Sequence, residues 1–168
     1  KQINDLLISG SGEYWRKSDT TTQTDYSFKN MRLSVRDDAS QQCITKERLE
    51  SLTFILEGGS LDFRISASRE VPIDTSEFPV KEKCDIVRQK QRQHFGYKMW
   101  DFDLTEVNSV KNDEKTLSYE YEIELNRTLN STDDSKYLSH SLILKLLDSI
   151  KSCGEIEEDA KITLVKRK

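Results

Sequence analysis

Residues 119–125 read Tyr-Glu-Tyr-Glu-Ile-Glu-Leu, and this alternation restricts the fold more than any other stretch. At the two-residue period of a strand, Glu120, Glu122 and Glu124 share one face, and Tyr119, Tyr121, Ile123 and Leu125 share the other. Glutamate is depleted in strands. Same-face neighbours also stand only about 7 Å apart, so three carboxylates in a row repel one another unless cations lie between or opposite them. An oxygen-only set of this kind suits hard divalent cations such as Mg²⁺ or Mn²⁺. The competing reading is the solvated outer face of a sheet.

Most of the chain shares the same period. Met31, Leu33 and Val35 alternate with Arg32, Ser34 and Arg36, which gives an amphipathic strand. Residues 49–56, the Glu57-Gly58-Gly59-Ser60 turn and residues 61–73 form a hairpin. Residues 73–83, with Pro72 and Pro79 at hand, read as a loop. Strands are predicted at 86–97, 99–107 and 116–125, the last two joined through 108–115. Ser131-Thr132-Asp133 offers an N-cap to a helix carrying Tyr137, Leu138, Leu142, Leu144, Leu146, Leu147 and Ile150 and closed by Gly154. That helix is expected to pack against the sheet, and residues 162–168 form a final strand. The class is mainly β (α+β): an antiparallel barrel with a supporting C-terminal helix.

At 168 residues and 35% hydrophobic, the chain fits one domain, residues 1–168. Its 26 basic residues against 30 acidic ones, a net charge of -4, argue against non-specific coating of nucleic acid, so any such contact is local. Cys43, Cys84 and Cys153 are odd in number and widely spaced, which fits neither a disulfide framework nor a zinc knuckle and points to a reducing cytosolic or nuclear setting. No apolar run approaches the about 18 residues of a membrane span, and no signal-peptide plan opens the chain. The reading is therefore a soluble protein without membrane contact. Asn126-Arg127-Thr128 and Asn130-Ser131-Thr132 match the short glycosylation pattern, which matters only in a secreted chain.

The stretch Val87-Arg88-Gln89-Lys90-Gln91-Arg92-Gln93 supplies a basic comb, Arg88, Lys90 and Arg92, at the period of the glutamates. Taken alone it could equally be a polar helix or a solvated surface. Facing the glutamates across a charged interior, it becomes a set of phosphate clamps paired with carboxylates. Arg32, Lys46, Arg64 and Arg69 add positive charge from other strands, and Glu70, Asp101 and Asp103 add negative charge. Trp15, Trp100 and His94 fit no motif and read as core or surface.

The order of these motifs resembles the yeast-type RNA triphosphatase of the triphosphate tunnel metalloenzymes. The resemblance rests on Arg32-Leu33-Ser34, Ile44-Thr45-Lys46, Arg69-Glu70-Val71-Pro72, the RxKxR comb, Asp103-Leu104-Thr105, the ExExE strand and Asp133-Asp134-Ser135-Lys136-Tyr137. It implies a barrel tunnel and Mg²⁺- or Mn²⁺-dependent hydrolysis of the γ-phosphate of 5′-triphosphate RNA, leaving a diphosphate end for guanylyl transfer in the nucleus. It implies Glu124 as metal ligand with Glu122 and Glu120 in support. Arg32, Lys90 and Arg92 would hold the γ-phosphate, Arg88 would brace the interior, and Glu70 would position or activate water. Lys46 and Asp103 would belong to a salt-bridge network, with Thr105 hydrogen-bonding beside it. Implied partners are mRNA guanylyltransferase, the transcription machinery and a second copy of the chain.

The family completes its metal site with an acidic motif on the first barrel strand, whereas residues 1–30 hold Glu13 as their sole glutamate. With Lys1 at the start, that strand is expected upstream. Glu155-Ile156-Glu157 is a substitute in pattern, though its place after a helix end favours a loop. Two other readings stay open: a tunnel for polyphosphate or free nucleotide, and a non-catalytic barrel that binds within a transcription assembly.

Overall fold

A computed structural model describes residues 15–56, 62–79, 83–125, 135–152 and 162–165. Along the chain run β1 (Trp15–Lys17), β2 (Thr21–Phe28), β3 (Met31–Arg36), β4 (Gln41–Leu56), β5 (Asp62–Ile73), β6 (Ile86–Tyr97), β7 (Trp100–Lys111), β8 (Glu114–Leu125), helix α1 (Ser135–Ser152) and β9 (Ile162–Val165). All strand pairs are antiparallel, in the order β5-β4-β3-β2-β6-β7-β8, with β1 added on β6 and β9 on β4.

Register divides the sheet chemically. Directly opposed residues of an antiparallel pair share a face, so Glu122 on β8 lies with Asp103 on β7 and His94 on β6. By the same rule Lys90 lies with Gln23, Arg88 with Asp25 and Ser34, and Arg32 with Ile44. Most charged side chains of the central strands thus collect on one face.

The other face holds two apolar clusters. Phe95, Trp100 and Phe102 pack with Tyr121, Ile123 and Leu142 of α1, and Leu33, Cys43 and Phe78 pack with Tyr26, Met31 and Ile73. Helix α1 is pinned there by hydrogen bonds from Trp100 Nε1 to Ser141 Oγ at 2.9 Å and between Tyr121 and Ser149 at 3.0 Å. Phe78 is delivered to its cluster by a single 3-10 turn, Thr75–Glu77, whose capping box joins Asp74 and Glu77.

The sheet is curled into a half-barrel with the polar face inside. Six interstrand steps of about 4.8 Å would hold β5 and β8 roughly 29 Å apart if the sheet were flat. Yet the Glu70 carboxylate on β5 acts on Glu124 of β8, helping to raise its pKa. Twist and curvature have brought the two end strands toward each other. Among the described residues no strand pairs β5 with β8.

The structure extends and corrects several sequence expectations. The connection expected over 108–115 is only Asn112-Asp113, both at positive φ, 49° and 67°. These residue types tolerate that region in a two-residue hairpin turn, so both flanking strands run on to Lys111 and from Glu114. Strand β4 begins at Gln41 rather than residue 49, and β1 and β2 were not expected at all. The N-cap at 131–133, Gly154, Glu155–157, the 57–60 turn, both glycosylation patterns and the basic end at 166–168 lie outside the described residues. No helix among the described residues is long and apolar enough to cross a membrane.

On the inner face, Asp25 and Lys90 are 1% and 6% exposed, with Lys90 Nζ 2.7 Å from Asp25 Oδ2. Asp25→Asn would leave a buried ammonium without its counter-charge, a loss of about 3–5 kcal/mol. Urea denaturation should show that loss, and Asp25→Asn combined with Lys90→Met should recover at least half of it. A single variant within about 1 kcal/mol of wild type would contradict the assignment of this pair as a buried, mutually dependent unit.

Candidate functional site

The inner face is built outward from that pair. Burial alone would raise the pKa of Asp25, but the adjacent Lys90 charge and donors outweigh it and hold the carboxyl below its usual range. Ser34 Oγ and Gln23 Nε2 both donate to Asp25 Oδ1, at 2.7 and 2.6 Å. Asp25 was not picked out from the sequence. The signal was present, since Asp25 and Ser27 alternate with Tyr26 and Phe28, but the Thr-rich approach to them masked the strand.

Arg88 and Arg92 flank Lys90 on β6 at strand period, so the comb expected from sequence is a strand and not a helix. Arg88 pairs with Glu120. Arg92 divides its guanidinium between two carboxylates: Nη1 lies 2.8 Å from Asp103 Oδ2 and Nη2 lies 3.3 Å from Glu122 Oε2. Asp103 is 4% exposed, so its carboxyl group faces the Arg92 guanidinium rather than bulk water. Comb and glutamates meet as ion pairs on the inner face.

Across the curl, Glu70 Oε1 accepts from both Lys46 Nζ at 3.0 Å and Arg32 Nη2 at 3.4 Å. Lys46 and Asp103 both take part in ion pairs, with Glu70 and Arg92 respectively. Thr105 lies in register between Arg92 and Glu120. Its Oγ1 and the Nε of Arg32 are buried without a hydrogen-bond partner in the structure. Buried polar groups are rarely left unsatisfied, and both stand among the charged groups of the inner face.

Two cations expected to add charge to the interior do not join it. Arg69 alternates out of phase with Glu70 and sits on the outer face, exposed and 3.7 Å from Glu47. Arg64 shares the face of Glu70 but lies six residues along β5, about 20 Å away at strand rise, and is exposed. Trp100 is core, as one of the two readings had it. His94 is neither core nor plain surface: its Nδ1 contacts Asp103 Oδ1 at 2.8 Å on the inner face.

Glu124 shows what the face lacks. Its carboxyl is raised by loss of bulk water first, and then by the negative charges of Glu122, Asp103 and Glu70, with Arg92 offsetting only part. Solvent still reaches the side chain, so the effect comes from the concave wall and its neighbours rather than from full burial. Asp25, Glu70, Asp101, Asp103, Glu120, Glu122 and Glu124 together outnumber Arg32, Lys46, Arg88, Lys90 and Arg92. No three His, Cys, Asp or Glu side chains among the described residues converge into a complete metal site. The donor chemistry nevertheless fits a hard divalent cation at Glu122 and Glu124.

Comparison with solved structures gives the same architecture. The S. pombe Pct1 RNA triphosphatase aligns with a TM-score of 0.59 at 22% identity, covering 76% of this chain and 53% of that one. Pct1 in complex with the Spt5 CTD aligns with a TM-score of 0.57 at 23% identity, covering 75% of this chain and 51% of that one. The chain therefore spans about half the length of these structures. No curated protein matches the sequence. The family model for the mRNA capping enzyme, beta chain, matches residues 14–150, which hold every inner-face residue described above, and the chain belongs to that family.

Proposed function

We propose that this chain carries the RNA 5′-triphosphatase activity of cap formation, releasing the γ-phosphate of 5′-triphosphate RNA in a reaction that needs Mg²⁺ or Mn²⁺. The observation that carries this reading is the coexistence, on one concave face, of an under-compensated carboxylate and a comb of guanidinium and ammonium groups. Glu124 is short of positive charge, and Arg32, Lys90 and Arg92, each paired with a carboxylate, supply the guanidinium and ammonium groups a phosphate would engage. A divalent cation with a triphosphate answers both at once.

Phosphoryl transfer asks the protein mainly to position groups and stabilise charge. On this reading Arg32 and Arg92 hold the γ-phosphate oxygens over the Lys90 floor and stabilise the charge that develops on them. Arg88 is braced by Glu120 and keeps the wall rigid. Thr105, in register between Arg92 and Glu120, would hydrogen-bond within the network beside them. Glu70, fixed by Lys46 and Arg32, orients the attacking water. Glu122 and Glu124 would hold the metal, which when bound neutralises phosphate charge and polarises the phosphorus.

Residues 1–168 act as one unit in this account. The product, a diphosphate end, suits a guanylyltransferase partner, and the work is nuclear. Pct1 has been solved with the Spt5 CTD, and a similar attachment to the transcription machinery is part of the proposal.

Two outcomes are expected. RNA with a labelled γ-phosphate should release inorganic phosphate with Mg²⁺ or Mn²⁺ and none with chelator. Glu122→Ala and Arg92→Ala should each slow release by about 10²-fold or more. Near-wild-type rates for either variant would remove it from the site, and equal turnover of polyphosphate would redirect the substrate.

The second outcome concerns stability. Because folding raises the Glu124 pKa, the native state binds the extra proton, and stability falls as pH rises above the ordinary carboxylate range. Glu124→Gln should therefore melt roughly 1–3 °C above wild type at neutral pH with chelator. The gap should close toward pH about 4, where the unfolded-state carboxyl is itself protonated. Added Mn²⁺ should raise the melting point of wild type but not of the variant. Identical melting curves at neutral pH would show that Glu124 is fully compensated.

A further inference from the structure

His94 follows Arg88, Lys90 and Arg92 at the same strand period, so it continues the basic row toward the β1 end of the interior. Its backbone is held from both sides: its carbonyl accepts from Ser18 N at 3.0 Å, and its strand pairs with β7 so that His94 stands opposite Asp103. Its ring meets Asp103 Oδ1 through Nδ1 at 2.8 Å and lies 3.7 Å from Asp101 Oδ1 through Nε2. The contact is a hydrogen bond from Nδ1 in the tautomer that places a proton there.

Asp103 is therefore engaged by two different donors, His94 on Oδ1 and Arg92 Nη1 on Oδ2 at 2.8 Å. An arginine and a carboxylate left to themselves favour a bidentate fork, with both oxygens taken by one guanidinium. Here His94 occupies the oxygen that the second prong would use. The second prong, Nη2, instead lies 3.3 Å from Glu122 Oε2. The divided grip of Arg92 and the His94 contact thus meet on the one carboxylate of Asp103.

We propose that His94 is a positioning residue, which by holding Asp103 Oδ1 keeps Arg92 in its divided geometry and aims its guanidinium into the interior. Its effect on turnover rests on the triphosphatase reading above; its effect on Arg92 does not. A neutral imidazole suffices, because a single N–H donor at Nδ1 makes the contact. Without it, Asp103 closes into the bidentate fork with Arg92, and Nη2 leaves Glu122.

Two measurements separate the proposal from the reading it rests on. The first is NMR of the Arg92 guanidinium in the metal-free and substrate-free protein, with Arg92→Lys used to identify its signals. Wild type should give distinct, slowly exchanging Nη resonances. His94→Ala should shift them, and His94→Gln, which restores an N–H donor, should return them toward wild type. The melting point should move little, since the ring is 38% exposed.

The second is γ-phosphate release. His94→Ala should lower kcat by about tenfold, the scale of a modest misplacement of a charge-stabilising group, with KM within about twofold and the Mn²⁺ requirement unchanged. His94→Gln should recover most of the loss. In an Arg92→Lys background His94→Ala should cost little more, because the residue it positions has gone. Unaltered Arg92 signals in His94→Ala, or the same tenfold loss in the Arg92→Lys background, would overturn the proposal. If wild type released no phosphate, the functional reading would fail while the NMR result still decided the role of His94.

Discussion

Removing a carboxylate and an ammonium from water together is unfavourable unless their geometry and hydrogen bonds compensate, and the Asp25–Lys90 pair lies where the sheet depends on that compensation. The apolar face is divided into two clusters, one formed by β6, β7, β8 and α1 and the other centred on β3, β4 and Phe78. Their boundary runs along the β2–β6 pairing. Asp25 and Lys90 span that boundary from the inner face. Ser34 and Gln23 complete the shell of Asp25 from β3 and β2, so the seam is joined by charge on one side of the sheet and by backbone hydrogen bonds within it.

The curvature gives the interior its electrostatic character. By drawing Glu70 toward Glu124 it adds the negative field of one end strand to that of the other, and the cations between them satisfy most of this charge but not all. Such a face binds a lone phosphate against its carboxylates and a lone cation against its guanidinium groups. Each ligand relieves the repulsion that opposes the other, and linkage makes that relief mutual. Under the proposed function, metal and triphosphate are thus favoured as a pair.

The sequence carried this chemistry unevenly. The ExExE and RxKxR segments were legible because strict alternation fixes which face each side chain takes, and on that shared face diagonal side-chain contacts join Arg88 to Glu120 and Arg92 to Glu122. The same rule would have excluded Arg69, which is one residue out of phase with Glu70, had phase been followed along β5. Asp25 escaped because β2 has threonine where a half-buried strand more often has larger apolar residues, so its amphipathic signal is faint. His94 escaped because a lone histidine has no motif. Its role lies in a carboxylate that belongs to another strand and becomes its neighbour only through register. The curl was implied by family resemblance, but nothing in local periodicity measures how far β5 and β8 approach.

The seam also divides the site. Arg32, Lys46 and Glu70 come from the β3–β5 half, and Arg88, Arg92, Glu120 and Glu122 from the β6–β8 half. A bound triphosphate would touch both, so the spacing of its two sets of contacts is set by the angle at which the halves meet. A well-packed apolar pair in place of Asp25 and Lys90 could make that joint as stable or more so. It would also remove the one cation of the comb that is fixed by burial and leave Arg88 and Arg92 flanking a neutral floor. The buried pair is thus better understood as setting the position of charge in the interior than as a source of net stability.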